Sequence, residues 1–287
     1  ISADSMQVYK QMDIGTAKIK KEQMQGVTHY MIDEWNPDEE FNVMIFQKHV
    51  KEIMEDIYNR GKIPILVGGT GFYIQAVLND IAFTKEKQGD EIRADLQNLA
   101  KEKGASYLHH ELQKVDKESA EAIHPNNIKR VIRALEYFQS TGQKFSDHNK
   151  EERQKGSPYN FLYLVLTMNR KVLYERIDKR VDQMMEEGLV KEVKQLLDAG
   201  YSRNLVSMQG LGYKEIASAL FKECTMEEAV YRLKRDTRHF AKRQMTWFRR
   251  ERDVTMINKD NFSNNHEIVN YIMKLAVEKG ICSCREG

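Results

Sequence analysis

The sequence predicts an α/β fold: a parallel sheet core interrupted by a helical insertion. Three observations carry this reading. Lys62 to Val67 is a short apolar run that opens onto Gly68-Gly69-Thr70-Gly71 and then a helical segment, the strand, turn and helix order of an α/β unit. Phe161 to Thr167 is the best strand pattern in the chain and is followed by a long amphipathic helix. Between them, from Thr84 to about Pro158, charge becomes dense, Gly104, Pro125 and Gly142 punctuate helices, and no strong strand occurs. Residues 1–84 and 159–287 therefore read as the core, and 85–158 as a helical insertion.

The first eighteen residues organise the rest. Asp4 follows a short, small and apolar start and precedes a turn-prone run, as at the carboxyl end of a buried strand, where open α/β sheets bind ligands. Asp13, Gly15 and Thr16 then make a tight turn. On these residues alone, a strand end followed by a capped helix is the plainer reading. Val27 to Glu34 alternates and reads as a strand. Phe41 to Arg60 carries Val43, Phe46, Val50, Ile53, Met54 and Ile57 at helical spacing, and Gly61 ends it. The run Lys62 to Val67 reads as buried on both faces. The glycine turn beyond it, leading into a helix over Ile74 to Leu78, has a geometry that can cradle phosphate, although such a turn equally serves close helix–sheet packing.

In the insertion, Asn126 or Asn127 is placed to cap a helix on which Lys129 and Arg133, four apart, share a face. Basic pairs of this kind are most often solvated. After the Phe161 strand, a helix from Leu173 to Leu197 is broken at Gly188 and carries Arg176 and Arg180. Ser207 to Lys214 is a glycine-containing turn into another helix. Arg232 to Arg252 holds nine Lys and Arg against Asp236 and Glu251. On a helix, Arg235, Arg238, Lys242 and Arg249 line one side, while Leu233, Phe240 and Trp247 line another, toward the core. That is the footprint of a phosphate-backbone binder. Val254 to Asn258 reads as a last strand, before a closing helix and a tail.

Composition narrows the class. With 41% hydrophobic and 31% charged residues and a net charge of +2, the chain reads as a soluble globular protein whose positive charge is local. No apolar run is long enough to span a bilayer and no secretory signal is present, so a cytoplasmic protein without a membrane partner is expected. Cys224, Cys282 and Cys284 form no disulfide framework, and Cys282 and Cys284 read as part of the tail. The eight His residues have no metal-ligand spacing, so no residue is assigned as a metal ligand. Ile1 stands where a strand should already be ending, so an upstream segment is expected.

Taken together, these segments resemble the tRNA dimethylallyltransferase (tRNA isopentenyltransferase) family over nearly the whole chain. The resemblance rests on Asp4-Ser5-Met6-Gln7-Val8-Tyr9, Asp13-Ile14-Gly15-Thr16-Ala17-Lys18, Val67-Gly68-Gly69-Thr70-Gly71-Phe72-Tyr73, His124-Pro125-Asn126 with Arg130 and Arg133, Gly212-Tyr213-Lys214-Glu215, and Ala241-Lys242-Arg243-Gln244 with Thr246-Trp247-Phe248-Arg249. Each is weak alone; six in order are specific. The resemblance implies a P-loop NTPase-like core with a helical insertion domain. It implies transfer of a dimethylallyl group from dimethylallyl diphosphate to the exocyclic amine of the adenine just 3′ of the anticodon, with Mg²⁺. The family's Gly-x-x-x-x-Gly-Lys-Thr loop is not in this chain; one strand–loop–helix half of about thirty residues would hold it.

The resemblance also implies roles. Asp4 is the candidate base and Thr70 its catalytic neighbour; Thr70, Gly71 and Arg180 are candidates for the diphosphate. Along the anticodon stem-loop of tRNA it places Asp4, Ser5, Met6, Gln7, Arg93, Lys129, Arg130, Arg133, Gln209, Gly212, Tyr213, Lys214, Lys242, Arg243, Gln244, Trp247 and Arg249. Basic side chains would hold phosphates, and Gln and Tyr would read or stack on bases. A monomer is the expected working state. Two other readings share the pattern: a P-loop small-molecule kinase, and an RNA-binding homologue without catalysis. The basic C-terminal helix, of no use to a small acceptor, speaks against the kinase.

Overall fold

The computed structural model describes residues 1–83 and 89–283 of the chain. Two units form: Ile1–Leu78 with Tyr159–Gly287, and Asn79–Pro158. The expected boundary at Thr84 and the residue Cys284 lie outside the described residues. In chain order the main elements are α1 (Val43–Asn59), α2 (Gly71–Leu78), α3 (Gly89–Lys103), α4 (Ala105–Val115), α5 (Lys117–Ala122), α6 (Ile128–Thr141), α7 (Phe145–Gln154), β1 (Tyr163–Thr167), α8 (Arg170–Glu187), α9 (Leu189–Asp198), α10 (Tyr213–Leu220), α11 (Met226–Phe248), β2 (Val254–Asn258) and α12 (Asn265–Glu278).

In the first unit β1 and β2 pair in parallel, in register from Tyr163↔Val254 to Thr167↔Asn258. These are the two strands expected last in the chain, and together they make the α/β character of the unit. The chain start runs beside residues 65–67. The Ala3 N–H donates to the Val67 carbonyl (2.8 Å) and the Val67 N–H to the Ile1 carbonyl (2.9 Å). Only one parallel bridge, Ser2↔Val67, results, so the run Lys62 to Val67 is extended but is not a full strand. It is also not buried on both faces: Ile63, Ile65 and Val67 are exposed, while Leu66 packs on the core. Val27 to Glu34 is not a strand either. Met31 and Asp33 take φ values of 62° and 57°, left-handed conformations that break any ladder.

The helices form where the spacing places them. Asn42 caps α1 by accepting from the N–H groups of Met44 and Ile45, and Phe46, Val50, Met54 and Ile57 bury one face. Gly188, at φ 104°, ends α8 and starts α9. The core of this unit gathers Val8, Tyr9, Met12, Phe46, Val50, Tyr73, Leu189, Val193, Met208, Tyr213 and Ile216.

The second unit is helical, α3 to α7, around Leu96, Leu108, Leu112, Val131, Ile132 and Leu135. Asp116, almost fully buried, joins α5 to α7: it accepts from the Ser119 N–H (3.0 Å), the Ser119 hydroxyl (2.6 Å) and the Ser146 N–H (2.9 Å). No helix among the described residues is long and apolar enough to cross a membrane.

Candidate active site

Asp4 lies in the turn that ends the Ile1–Ala3 stretch. Its Oδ1 accepts from the N–H groups of Met6 (2.8 Å) and Gln7 (3.3 Å), an Asx turn that fixes the carboxylate and leaves Oδ2 outside these bonds. The Ser5 N–H donates to Thr70 Oγ1 (3.1 Å), and the Thr70 N–H donates to the Ala3 carbonyl (3.2 Å). The aspartate turn and the glycine turn are thus tied on both sides of Asp4, at Ala3 and at Ser5. Gly68 makes the approach possible, because a methyl there would lie 2.2 Å from the Ala3 carbonyl oxygen. Thr70 immediately precedes α2, so the positive end of that helix opens beside Asp4.

Burial pushes the Asp4 carboxyl above the ordinary aspartate range. The Met6 and Gln7 hydrogen bonds and the positive charge of Arg180 pull the other way without cancelling it. A raised carboxylate is a stronger proton acceptor. Arg180 itself is exposed on α8 and makes no ion pair among the described residues. Tyr73 stays protonated, because burial and then the neighbouring Tyr9 and Asp4 raise its phenol.

α11 packs on the same glycine turn. Gln244 Nε2 donates to the Gly69 carbonyl (2.9 Å). A methyl at Gly71 would lie 2.3 Å from Trp247 Cδ1, and the Trp247 ring meets Phe72 edge-on at 6.2 Å. Trp247 also lines an open cavity of about 430 Å³ with His239, Lys242, Arg243, Thr246 and Arg250. Two expectations for this helix are corrected. Its basic side is partly neutralised: Arg238 pairs with Asp178 and Lys234 with Asp182, two acids four apart on α8, while Arg235 pairs with Asp236. Phe240 and Trp247 are not core residues but 40% and 38% exposed; Leu233 and Phe248 supply the buried face. Among the described residues Lys242, Arg243, Arg249 and Arg250 make no ion pair.

Met6 packs on Gly210, where a methyl would lie 2.5 Å from Met6 Cε. Gln209 is exposed and donates to the Arg203 carbonyl (2.7 Å), and Lys214 is exposed beside Glu215. Gly212 is buried at φ 94°. Tyr213 departs from expectation. Its side chain is wholly buried and its hydroxyl donates to Glu192 (2.6 Å), so it has no face to offer a base. Ser5 and Gln7 are half-buried; Gln7 Nε2 donates to the Thr16 carbonyl (3.2 Å).

In the second unit, Arg93 donates to the buried Glu136 through Nε and Nη2, side-on, and Arg133 lies 3.4 Å from the same carboxylate. With Lys129 they rim a cavity of about 540 Å³ lined also by Ile128, Ile132 and Ala100. Lys129 and Arg130 are exposed.

Sequence reasoning missed Glu192, Glu136 and the Asp178/Asp182 pair. Glu192 had a readable signal, a carboxylate on the apolar stripe of α9 between Leu189 and Leu196. The α8 acids also had one, their spacing of four. No group of three or more His, Cys, Asp or Glu side chains among the described residues could hold a metal by itself.

Comparison with known proteins adds identity to this geometry. Residues 7–251 match the family model described as IPP transferase. The chain is 58% identical over 281 residues to the tRNA dimethylallyltransferase of Lachnoclostridium phytofermentans, covering 98% of this chain and 90% of the relative. It is 50% identical over 269 residues to that of Acetivibrio thermocellus, covering 94% and 86%. Among solved structures it superposes on the full-length tRNA isopentenylpyrophosphate transferase of Bacillus halodurans with a TM-score of 0.71 and 44% identity, covering 97% of this chain and 88% of that one. A eukaryotic dimethylallyltransferase acting on tRNA gives 0.78 at 28% identity, covering 95% and 72%.

Proposed function

We infer the reaction from a fixed premise: the chain belongs to the IPP transferase family. It is an enzyme that transfers a dimethylallyl group to tRNA. In our reading the donor is dimethylallyl diphosphate and the acceptor is the exocyclic amine of the adenine 3′-adjacent to the anticodon. The finer fold reading is a P-loop NTPase-like core carrying the residue 85–158 insertion, working as a cytoplasmic monomer.

The chemistry follows from the Asp4 turn. An adenine amine is a weak nucleophile because its lone pair is delocalised into the ring. As it bonds to the allylic carbon, the carbon–oxygen bond breaks and diphosphate leaves with the electron pair. Asp4, through Oδ2, takes the amine proton; a positioned base of this kind contributes about 10²- to 10⁴-fold. The Thr70 hydroxyl, the N-terminus of α2 at Gly71 and the Arg180 guanidinium meet the leaving diphosphate. The oxygen donors fit a divalent cation of the Mg²⁺ type, held chiefly by phosphate oxygens with one carboxylate or hydroxyl from the protein. Bound there, the cation would neutralise charge gathering on the leaving group.

The RNA reading rests on exposed cations. Lys242 and Arg243 on α11, Arg249 just past its end, and Lys129 and Arg130 on α6 would meet phosphates, with Ser5, Met6, Gln7, Gln209, Lys214, Gln244 and Trp247 nearer the bases. Arg93 and Arg133 offer guanidinium faces held by Glu136. The observation that carries the catalytic reading is the Ser5 to Thr70 hydrogen bond, which joins the base to the diphosphate turn. The test incubates the full-length protein with labelled dimethylallyl diphosphate and tRNA, and separately with labelled ATP and small alcohols. Label in the tRNA is expected; label transferred only from ATP overturns the reading.

A further inference from the structure

Lys214 apart, the Asp13-Ile14-Gly15-Thr16-Ala17-Lys18 and Gly212-Tyr213-Lys214-Glu215 segments have no part in the reading above, yet they interlock. Three consecutive N–H groups, of Asp13 (3.0 Å), Ile14 (2.8 Å) and Gly15 (3.1 Å), converge on the carboxylate of Glu192. Such a run of amides is an anion nest, and here a side chain of α9 fills it. The Tyr213 hydroxyl donates to the same carboxylate. Burial first, and then the Glu192 charge, drive the Tyr213 phenol far upward, so it stays a donor. The ring packs against Gly15, where a methyl would fall 2.6 Å from Tyr213 Cε2. At the far end of the loop the Thr16 carbonyl accepts from Gln7 Nε2, and the Gln7 N–H caps Asp4. Lys18 closes the loop from beneath, donating to the Tyr9 carbonyl and pairing with Asp13 and Asp33.

We propose that Glu192, with Tyr213, is a positioning residue for the catalytic turn: it fixes the Asp13–Lys18 loop, which through Thr16 and Gln7 sets the orientation of the Asp4 carboxylate. The proposal rests on the reading of Asp4 as the base. Glu192 touches no reacting atom. Its effect passes through one backbone carbonyl and one amide side chain, a path short enough to move Asp4 by a fraction of an ångström. Misplacement of about 1 Å costs on the order of 10²-fold in rate.

The test compares Glu192→Ala, Glu192→Gln and Tyr213→Phe with Val193→Ala in the full-length protein. Val193 is fully buried on the same helix and takes no part in the loop. Hydrogen exchange at the Met6 and Gln7 amides, which needs no substrate, is expected to speed up in Glu192→Ala and Tyr213→Phe. It should stay near wild type in Val193→Ala, whose loss should be in melting temperature alone. Turnover at saturating tRNA is expected to fall about 10- to 100-fold in Glu192→Ala with tRNA affinity unchanged, and Glu192→Gln, which keeps one acceptor oxygen, should recover part of it. In an Asp4→Asn background, removing Glu192 should cost nothing further. An equal further loss in that background, or equal exchange rates in Glu192→Ala and Val193→Ala, overturns the proposal. A wild-type protein that fails to modify tRNA would instead strike at the reaction, and the exchange data would still decide the coupling.

Discussion

At the scale of single residues, the decisive fact is that Asp4 is poised in two senses. Its Oδ1 is held by two backbone N–H groups and its carboxyl is raised by burial. Asn is the informative replacement, because its side-chain oxygen accepts the same two bonds while the basicity is lost. Asp4→Asn is expected to reduce turnover by at least about 10²-fold, with tRNA affinity within about threefold. In the wild type, turnover should fall as pH drops through the raised Asp4 range, since only the carboxylate accepts the proton; Asp4→Asn should lack that acid limb. The stability sign is opposite to that of a salt-bridged acid. The native state holds the Asp4 proton more tightly than the unfolded chain, so the cost is absent below the unfolded pKa, builds as pH rises from there, and is complete above the native range. Asp4→Asn should therefore melt no lower than wild type at neutral pH, and a pH titration of melting temperature checks it. The place of Asp4 in a turn was readable from sequence, because a lone carboxylate stands there between a small, apolar start and a polar run; the strand expected before it is a single bridge. Tyr213 was not, because a tyrosine in a glycine-bounded turn looks the same whether it faces solvent or fills a core. Only the Glu192 carboxylate across from it decides.

At the scale of elements, α11 shows what composition hides. The density of Arg and Lys was plain in the sequence and the helix forms where expected, but the partners of two of those charges lie on another helix. Asp178 and Asp182 absorb Arg238 and Lys234. Among the described residues, Lys242, Arg243, Arg249 and Arg250 are left without an ion pair. Each cation on a phosphate releases counterions, so Lys242→Ala should weaken tRNA binding and lower its log–log salt slope by about 0.7 to 0.9. Arg235→Ala, which frees Asp236, should change the slope much less. Binding of the two variants across a salt series separates them; equal slopes would mean the paired and unpaired cations are equivalent. The glycine turn gives a second check on α11. Gly71→Ala puts a methyl 2.3 Å from Trp247 Cδ1, backed by a helix. The indole must shift off the turn, and both turnover and tRNA affinity should drop while Gly156→Ala, in the second unit with open space around it and no positive φ, leaves both unchanged. The strands were legible unevenly for a physical reason. β1 and β2 pair along five residues each, whereas Lys62 to Val67 is bridged at one point and Val27 to Glu34 is interrupted by left-handed Met31 and Asp33. Alternation in a sequence records side-chain chemistry and says nothing of a positive φ.

At the scale of the whole molecule, each unit carries its own core. The core of residues 79–158 closes on Leu108, Leu112, Val131 and Leu135, and its polar fastening is Asp116. Burial alone would raise the Asp116 carboxyl, but the hydrogen bonds from Ser119 and Ser146 outweigh it and hold the group below the ordinary aspartate range. A depressed carboxyl contributes stability at pH values above its unfolded pKa, and that contribution fades as pH falls through the lower native value. Asp116→Ala removes the α5 cap and two further bonds and leaves the Ser146 N–H without its acceptor, a loss of about 2 kcal/mol at neutral pH that shrinks toward acid. Because the two cores are separate, the loss should be confined. Hydrogen exchange mapped over the full-length protein should show faster exchange across α4 to α7 and unchanged protection at Ala3 and Val67, whose amides tie the chain start to the glycine turn. Exchange that rises equally at Ala3 and Val67 would mean the two units unfold as one, and the catalytic turn would then owe its stability to the insertion as well as to its own contacts.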